Sequence, residues 1–278
     1  MTDTVLVFGG MKRTKVGRLR SWVAIATHRE HALGAAALSC LVLIAWSASA
    51  MLRSEQMPDF RKLDAGEPRK TEFFDYLRPM IEDENARVLR EREQLIEIAQ
   101  KTELGWFDQR TLERFASDYA LDHETMTTRE LIDALQLRID AVPISLALAQ
   151  AAKESGWGTS RFARRGNNLF GEWCYDPGCG FVPRRRSEGR SHEVERFASP
   201  RDSVESYLRN INTHFGYAAF REERARLRES GKPLSGLALA DALGRYSQRR
   251  DDYVEEIKRL IRFNDLASNS SGPDPSAR

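Results

Sequence analysis

Two segments interrupt an otherwise helical pattern of apolar and polar positions. Residues 32–52, ALGAAALSCLVLIAWSASAML, carry no charged side chain, and a run of that length matches the ~20 apolar residues a helix needs to cross a bilayer. Residues 53–70 follow with mixed charge, Pro58, Gly66, Pro68 and no sustained period, as a linker does. Ile81, Val88 and Leu95 then recur at heptad spacing among charges, which predicts one amphipathic helix over 80–101, started or kinked by Pro79. Thr127 with Glu130 is a capping-box signal ahead of a helix over 128–138. Pro143 suits a first turn and Gly156 a stop, bracketing a helix over 143–155 that is apolar on almost all sides and therefore buried. Ser199-Pro200 opens another helix, and 218–230, 235–244 and 251–264 continue the pattern. The second interruption, 166–198, is punctuated by Gly166, Gly171, Gly178, Gly180, Gly189, Pro177 and Pro183, and its alternation around Val194 and Arg196 is too brief to separate strand from loop. It reads as a small hairpin lobe inserted into a mainly α (α+β) domain over 71–266. Residues 267–278 have the polar Ser/Pro composition of a disordered tail.

Charge sets the expected topology. Lys12, Arg13, Lys15, Arg18, Arg20 and Arg29 precede the apolar run against only Asp3 and Glu30. A positive flank stays in the cytoplasm, so 1–31 reads as a cytoplasmic N-terminus, 32–52 as a single transmembrane anchor, and the rest as exported. A cleaved signal peptide is the rival reading, since Ala48-Ser49-Ala50 fits the cleavage pattern, though the apolar run is long for one. Lipid attachment at Cys40 has only a partial signal in Leu38-Ser39-Cys40. With 43 basic and 41 acidic residues, nothing argues for a nucleic-acid partner. Cys174 and Cys179 bracket a turn, Asp176-Pro177-Gly178, and in an oxidising compartment they read as a local disulfide. Two thiols at that spacing with only His192 nearby make a poor zinc set, and no other metal or cofactor signature appears.

The densest chemistry is Gln150-Ala-Ala-Lys-Glu-Ser-Gly-Trp-Gly158. Glu154 ends a buried helix, facing the negative end of its dipole, and partial burial further disfavours its charge; both push its pKa up. A carboxylic acid that keeps its proton near neutral pH is what protonating a glycosidic oxygen requires. Gly156 and Gly158 leave backbone open to a sugar, and Trp157 offers a stacking face. The bland alternatives are a surface ion pair for Glu154 and core packing for Trp157.

Residues 150–163, together with Asn-Asn-Leu-Phe-Gly at 167–171, resemble the glucosaminidase family of peptidoglycan hydrolases, glycoside hydrolase family 73. Within it, 71–266 looks like the Bax proteins of Gram-negative bacteria, an impression strengthened by the Cys174–Gly180 loop and Asn210-Ile-Asn-Thr-His214. The resemblance implies a lysozyme-like helical domain acting on peptidoglycan glycan strands, with no metal or organic cofactor implied; joined to the anchor read from the apolar run, this places it in the periplasm, held by one helix in a bacterial inner membrane. It implies an endo-β-N-acetylglucosaminidase cutting the β-1,4 bond after N-acetylglucosamine, with Glu154 as catalytic acid. Tyr246, seven residues before Tyr253, matches a tyrosine needed near the active site, with simple helix packing as the alternative; Tyr253 is taken as substrate-binding. Asn168, Leu169, Phe170 and Gly171 match a loop lining the groove, although Phe170 also suits a core. For the second carboxylate Glu188 is the best-placed candidate, with Glu193 and Glu195 behind it; attack by the substrate's own acetamido group would remove the need for a nucleophilic one. Arg184, Arg185, Arg186, Arg190, Arg161, Arg164 and Arg165 flank the lobe and suit either acidic stem peptides or a plain solvated surface. The other readings are a muramidase or lytic transglycosylase, and a non-catalytic peptidoglycan-binding scaffold.

Overall fold

The computed structural model describes residues 57–183, 186, 189–246 and 250–267, all within one compact unit spanning Glu55–Arg278. The expected N-terminus, the apolar segment 32–52, Glu188 and most of the tail lie outside the described residues, as do the side chains of 244–246, 250 and 251. Among the described residues no helix is long and apolar enough to cross a membrane.

The architecture is helical with one small sheet. Helix α1 runs Glu67–Ala99, α2 Trp106–Asp118, α3 Thr128–Arg138, α4 Ile144–Ser155, α5 Arg161–Gly166, α6 Pro200–Thr213, α7 Ala218–Glu229, α8 Gly236–Ala240 and α9 Arg250–Phe263. Strands β1 (Trp173–Cys174), β2 (Gly180–Phe181) and β3 (Glu193–Glu195) form an antiparallel sheet with β3 in the middle. Helix α4 is the centre of this unit, packed against α1, α8 and α9, and every residue from Ser145 to Ala152 is buried. Its apolar sequence thus builds the main core together with Phe73, Leu77 and Ile81 of α1, Tyr207 and Ile211 of α6, and Ile257 and Ile261 of α9. A second core joins the C-terminal half of α1 (Val88, Leu95, Ile98) to α2 and α3 through Leu112, Phe115 and Leu135.

The capping signals behave as their chemistry dictates. Thr127 and Glu130 exchange both capping-box hydrogen bonds at the start of α3, and Ser199 with Asp202 does the same at α6. Helix α1 differs from expectation: it starts at Glu67 with Pro68 in its first turn and passes through Pro79. Pro79 and Asp75, whose carbonyl loses its amide partner there, both face solvent, where that carbonyl can be hydrated. Residues 57–66, read from the sequence as linker, pack onto the domain. Phe60 is fully buried, its ring edge-on to Phe73 at 5.4 Å and to Tyr76 at 5.9 Å.

A buried polar assembly fixes the entry to α4. The Asp140 carboxylate takes a bidentate pair of 2.6 Å hydrogen bonds from Arg228, with Arg92 and Arg224 within 3.8 Å and 3.7 Å. Arg224, fully buried, donates to the carbonyls of Leu137, Arg138, Asp140 and Ala141 and to Asn212 Oδ1. Its guanidinium therefore caps the negative end of α3. Two residues on, the Val142 peptide is clamped by Asn85 of α1, with bonds of 2.8 Å and 2.9 Å.

Candidate active site

Glu154 stands on the last turn of α4, exposed, while Ala151, Ala152 and Ser155 around it are buried. The helix stops at Gly156, and Gly156, Trp157 and Gly158 follow one another in the left-handed region. Such backbone is strained at Trp157, costing about 1–3 kcal/mol, and persists only where surroundings impose it. Here the Trp157 amide bonds Ala152 O at 2.9 Å, and its ring is wedged against Phe74 at 5.3 Å and Phe73 at 6.1 Å. Ser155, fully buried, gives its hydroxyl to Ala151 O at 2.6 Å and accepts the Gly158 amide at 2.8 Å. Gly158 admits no side chain, because a Cβ there would sit 2.4 Å from the Phe60 ring. The Glu-Ser-Gly-Trp-Gly run thus folds into a rigid stop that leaves the carboxylate open while its base is locked. Trp157 is half-buried and shared between this packing and the surface.

Partial loss of hydration raises the pKa of Glu154; the Lys153 charge and a hydrogen bond from Tyr253 pull it back without cancelling the rise. Tyr253 on α9 is itself held by a relay: Tyr207 OH donates to Gln150 Oε1 at 2.5 Å, and Gln150 Nε2 donates to Tyr253 OH at 3.0 Å. With its oxygen accepting from Gln150, the Tyr253 hydroxyl is left to donate toward Glu154. Lys153, next to Glu154, pairs with Glu256 of α9, which draws its charge off the carboxylate.

The Asn-Leu-Phe-Gly loop forms the facing wall. Gly171, at φ +71°, lies so close that a Cβ would stand 3.8 Å from Glu154 Oε2. Asn168 is 1% exposed and is engaged within the loop: Nδ2 donates to Glu172 O and Glu195 O, both at 2.9 Å, and Oδ1 accepts the Glu172 amide at 3.0 Å. Leu169 is buried, with its amide on Ser203 Oγ at 3.1 Å. Phe170 is stacked on Tyr207, ring centroids 3.9 Å apart, in the core. Of the four loop positions, Gly171 is therefore the one shown beside Glu154, and the other three hold it there. Tyr246 ends a 3-10 turn, Asp241–Tyr246, and its side chain lies outside the described residues; among the described residues, Tyr253 is a tyrosine that hydrogen-bonds Glu154.

The lobe carries the disulfide expected between Cys174 and Cys179, with Cα atoms 6.3 Å apart. Among the lobe carboxylates, Glu193 accepts the amides of Gly178 (3.1 Å) and Gly180 (2.8 Å), which hold its pKa down; it staples the disulfide loop. Glu195 is half-buried, and burial raises its pKa. Arg184 and Arg185 of the basic cluster, like Glu188, lie outside the described residues. Two groups were not anticipated. Glu172 directly follows Gly171, and burial pushes its carboxyl up to about 8. Trp173 beside it is 56% exposed and stacks on His192 at 4.3 Å. The one available signal was position: both extend the Asn-Leu-Phe-Gly motif into β1.

A mainly helical domain with an open, partly dehydrated carboxyl at the end of its central helix, faced by a glycine-cornered loop, has the build of a glycan-cleaving domain. Residues 130–266 match the glucosaminidase family model, described as mannosyl-glycoprotein endo-beta-N-acetylglucosaminidase. The chain is 34% identical over 212 residues to protein bax of Escherichia coli (strain K12), an alignment covering 76% of each. The chain belongs to the Bax/glucosaminidase family. No solved structure matches it.

Proposed function

We propose that the chain is a peptidoglycan hydrolase, an endo-β-N-acetylglucosaminidase that cleaves the β-1,4 bond on the reducing side of N-acetylglucosamine. The observation that carries this reading is the setting of Glu154: open to an incoming sugar, raised in pKa by partial dehydration, and oriented by Tyr253. In this mechanism Glu154 gives its proton to the leaving oxygen as the glycosidic bond breaks. Water adds to the anomeric carbon and loses its proton to a lobe carboxylate, Glu188 or Glu195, or the substrate's acetamido oxygen attacks first and water opens the resulting ring. Trp157 and Gly171 border the space in which the sugar would lie. The location that suits this substrate is the periplasmic face of the inner membrane, with 32–52 as the anchor.

The test is digestion of purified peptidoglycan by the full chain, wild type beside Glu154→Gln, with mass spectrometry of the fragments. Products ending in reducing N-acetylglucosamine are expected, reduced about 10²–10⁴-fold by the substitution. Products ending in reducing N-acetylmuramic acid, or in an anhydro sugar, would replace this reading with a muramidase or a lytic transglycosylase. Binding without any product would mark a scaffold.

A further inference from the structure

The register of the lobe sheet brings two glutamates face to face. Trp173 pairs with Val194 and Cys174 with Glu193, and one step beyond that pairing the Glu195 amide donates to Glu172 O at 3.0 Å, which makes the two glutamates neighbours across the strands. Side chains directly opposed on antiparallel strands stand with Cβ atoms about 4.5–5.5 Å apart, and like charges so placed repel. The buried Asn168 amide supplies the rest of the link: it accepts the Glu172 amide and donates to both carbonyls, Glu172 O and Glu195 O. Glu172 Oε2 is closed to solvent and has no hydrogen-bond partner among the described residues. An unpartnered carboxylate oxygen in that setting is costly as an anion and far less so as a neutral acid.

We propose that Glu172 and Glu195 act as a one-proton carboxyl pair, in which Glu172 is a positioning residue that keeps the proton inside the lobe and Glu195 is the ionised member available to the reaction. The inference rests on the hydrolase reading above and assigns the water-activating role to Glu195. Of two coupled carboxyls, the less hydrated one takes the proton. The groups that face Glu172 agree. Burial raises its pKa most; Ser206 on α6 lowers it through one hydrogen bond, and the charge of Glu195 on β3 raises it again. Tyr207 of α6 and Tyr217 of the 3-10 turn Phe215–Tyr217 stay neutral hydroxyls, both held up by burial, and the charges of Glu172 and Glu154 raise Tyr217 further. None of these supplies a cation to hold Glu172 ionised. In the step itself, the water oxygen bonds to the anomeric carbon and one water proton passes to Glu195. The glycosidic electron pair leaves on the departing oxygen, which takes the proton of Glu154. Glu172 neither gains nor loses its proton.

The experiment uses the full chain with carboxyl carbons of glutamate labelled with ¹³C, titrated by NMR, beside turnover of soluble peptidoglycan glycan fragments. One signal should titrate near pH 8 and vanish in Glu172→Gln. Glu172→Ala should lower kcat about tenfold or more with KM unchanged, Glu172→Gln should recover most of that loss, and Glu195→Gln should abolish turnover. A Glu172 signal in the ordinary carboxylate range overturns the pair. So does a Glu172→Ala variant that turns over at the wild-type rate while Glu154→Gln is inactive. If the wild type is inactive, the hydrolase reading falls with the role of Glu195, and the titration still decides where the proton resides.

Discussion

At the residue scale the site is a contest over one proton. Dehydration raises the pKa of Glu154, while Lys153 and Tyr253 lower it. Tyr253→Phe deletes the donated hydrogen bond, so the pKa of Glu154 rises further. Activity that needs the protonated acid is lost as pH climbs through that pKa, so the alkaline limb of the pH–rate profile should move to higher pH in this variant. The change also leaves Gln150 Nε2 without its partner, at about 1–3 kcal/mol of stability, which thermal unfolding would register separately. Gly171→Ala tests the opposing wall. It forces a methyl into left-handed backbone, 3.8 Å from Glu154 Oε2. Cleavage should drop more than stability, because the strained turn that shifts in response lies directly against the carboxylate and away from the core. Equal losses in glycan release and melting temperature would show that Gly171 serves only the turn.

At the scale of elements, what local chemistry dictates was legible. The capping boxes at Thr127 and Ser199, the all-apolar stretch 144–152 and the Gly156 stop each specify a boundary by nearest-neighbour rules: α3 spans 128–138 as expected, α6 starts at Pro200, and α4 ends before Gly156 but begins at Ile144, with Pro143 as its N-cap and not its first residue. Helix α2, Trp106–Asp118, was not read: its start is capped by Gly105 and Asp108, and Trp106 and Phe107 at its head remain exposed, which blurs an amphipathic stripe. In the lobe, the disulfide followed from two cysteines around a turn, but the Glu172–Glu195 rung depends on strand register, which brings together residues more than twenty positions apart. The Asp140 assembly was hidden for the same reason, since Arg92, Arg224 and Arg228 meet it from α1 and α7. Burial alone would raise the Asp140 pKa, yet the guanidiniums outweigh it and the net shift is down. A depressed carboxylate contributes stability above its unfolded pKa and loses it as pH falls through the folded one. Asp140→Asn leaves three guanidiniums around a neutral amide and should cost about 3–5 kcal/mol at pH 7. The gap to wild type should narrow on acidification below the ordinary carboxylate range, where the wild-type carboxyl also takes a proton; urea unfolding at pH 7 and pH 3 measures both.

At the scale of the whole molecule the question is where the working domain begins. Composition placed a linker over 53–70, because Pro58, Gly66 and Pro68 break periodicity and the charges are mixed. Composition does not report that a single aromatic in such a stretch has a socket. Phe60 fills the space between Phe73, Tyr76 and Gly158, and Gly158 is the last residue of the strained stop that presents Glu154. A segment that looks dispensable therefore braces the site from behind: the Phe60 ring sits where any side chain at 158 would go. A chain beginning at residue 71 loses this ring and the first turn of α1, whereas one beginning at Met57 keeps both. Removing a buried phenylalanine costs about 3–5 kcal/mol, so the shorter chain should melt well below the longer one. The loss should also reach function. With its socket empty, the Gly156–Gly158 turn loses the wall that helps hold Trp157 in left-handed backbone, and glycan release should fall even at temperatures where the shorter chain remains folded. Phe60→Ala in the full chain isolates the same effect without shortening anything. If that variant matches wild type in both melting temperature and cleavage, the domain begins at 71 after all, and the packing of Phe60 is incidental to the site.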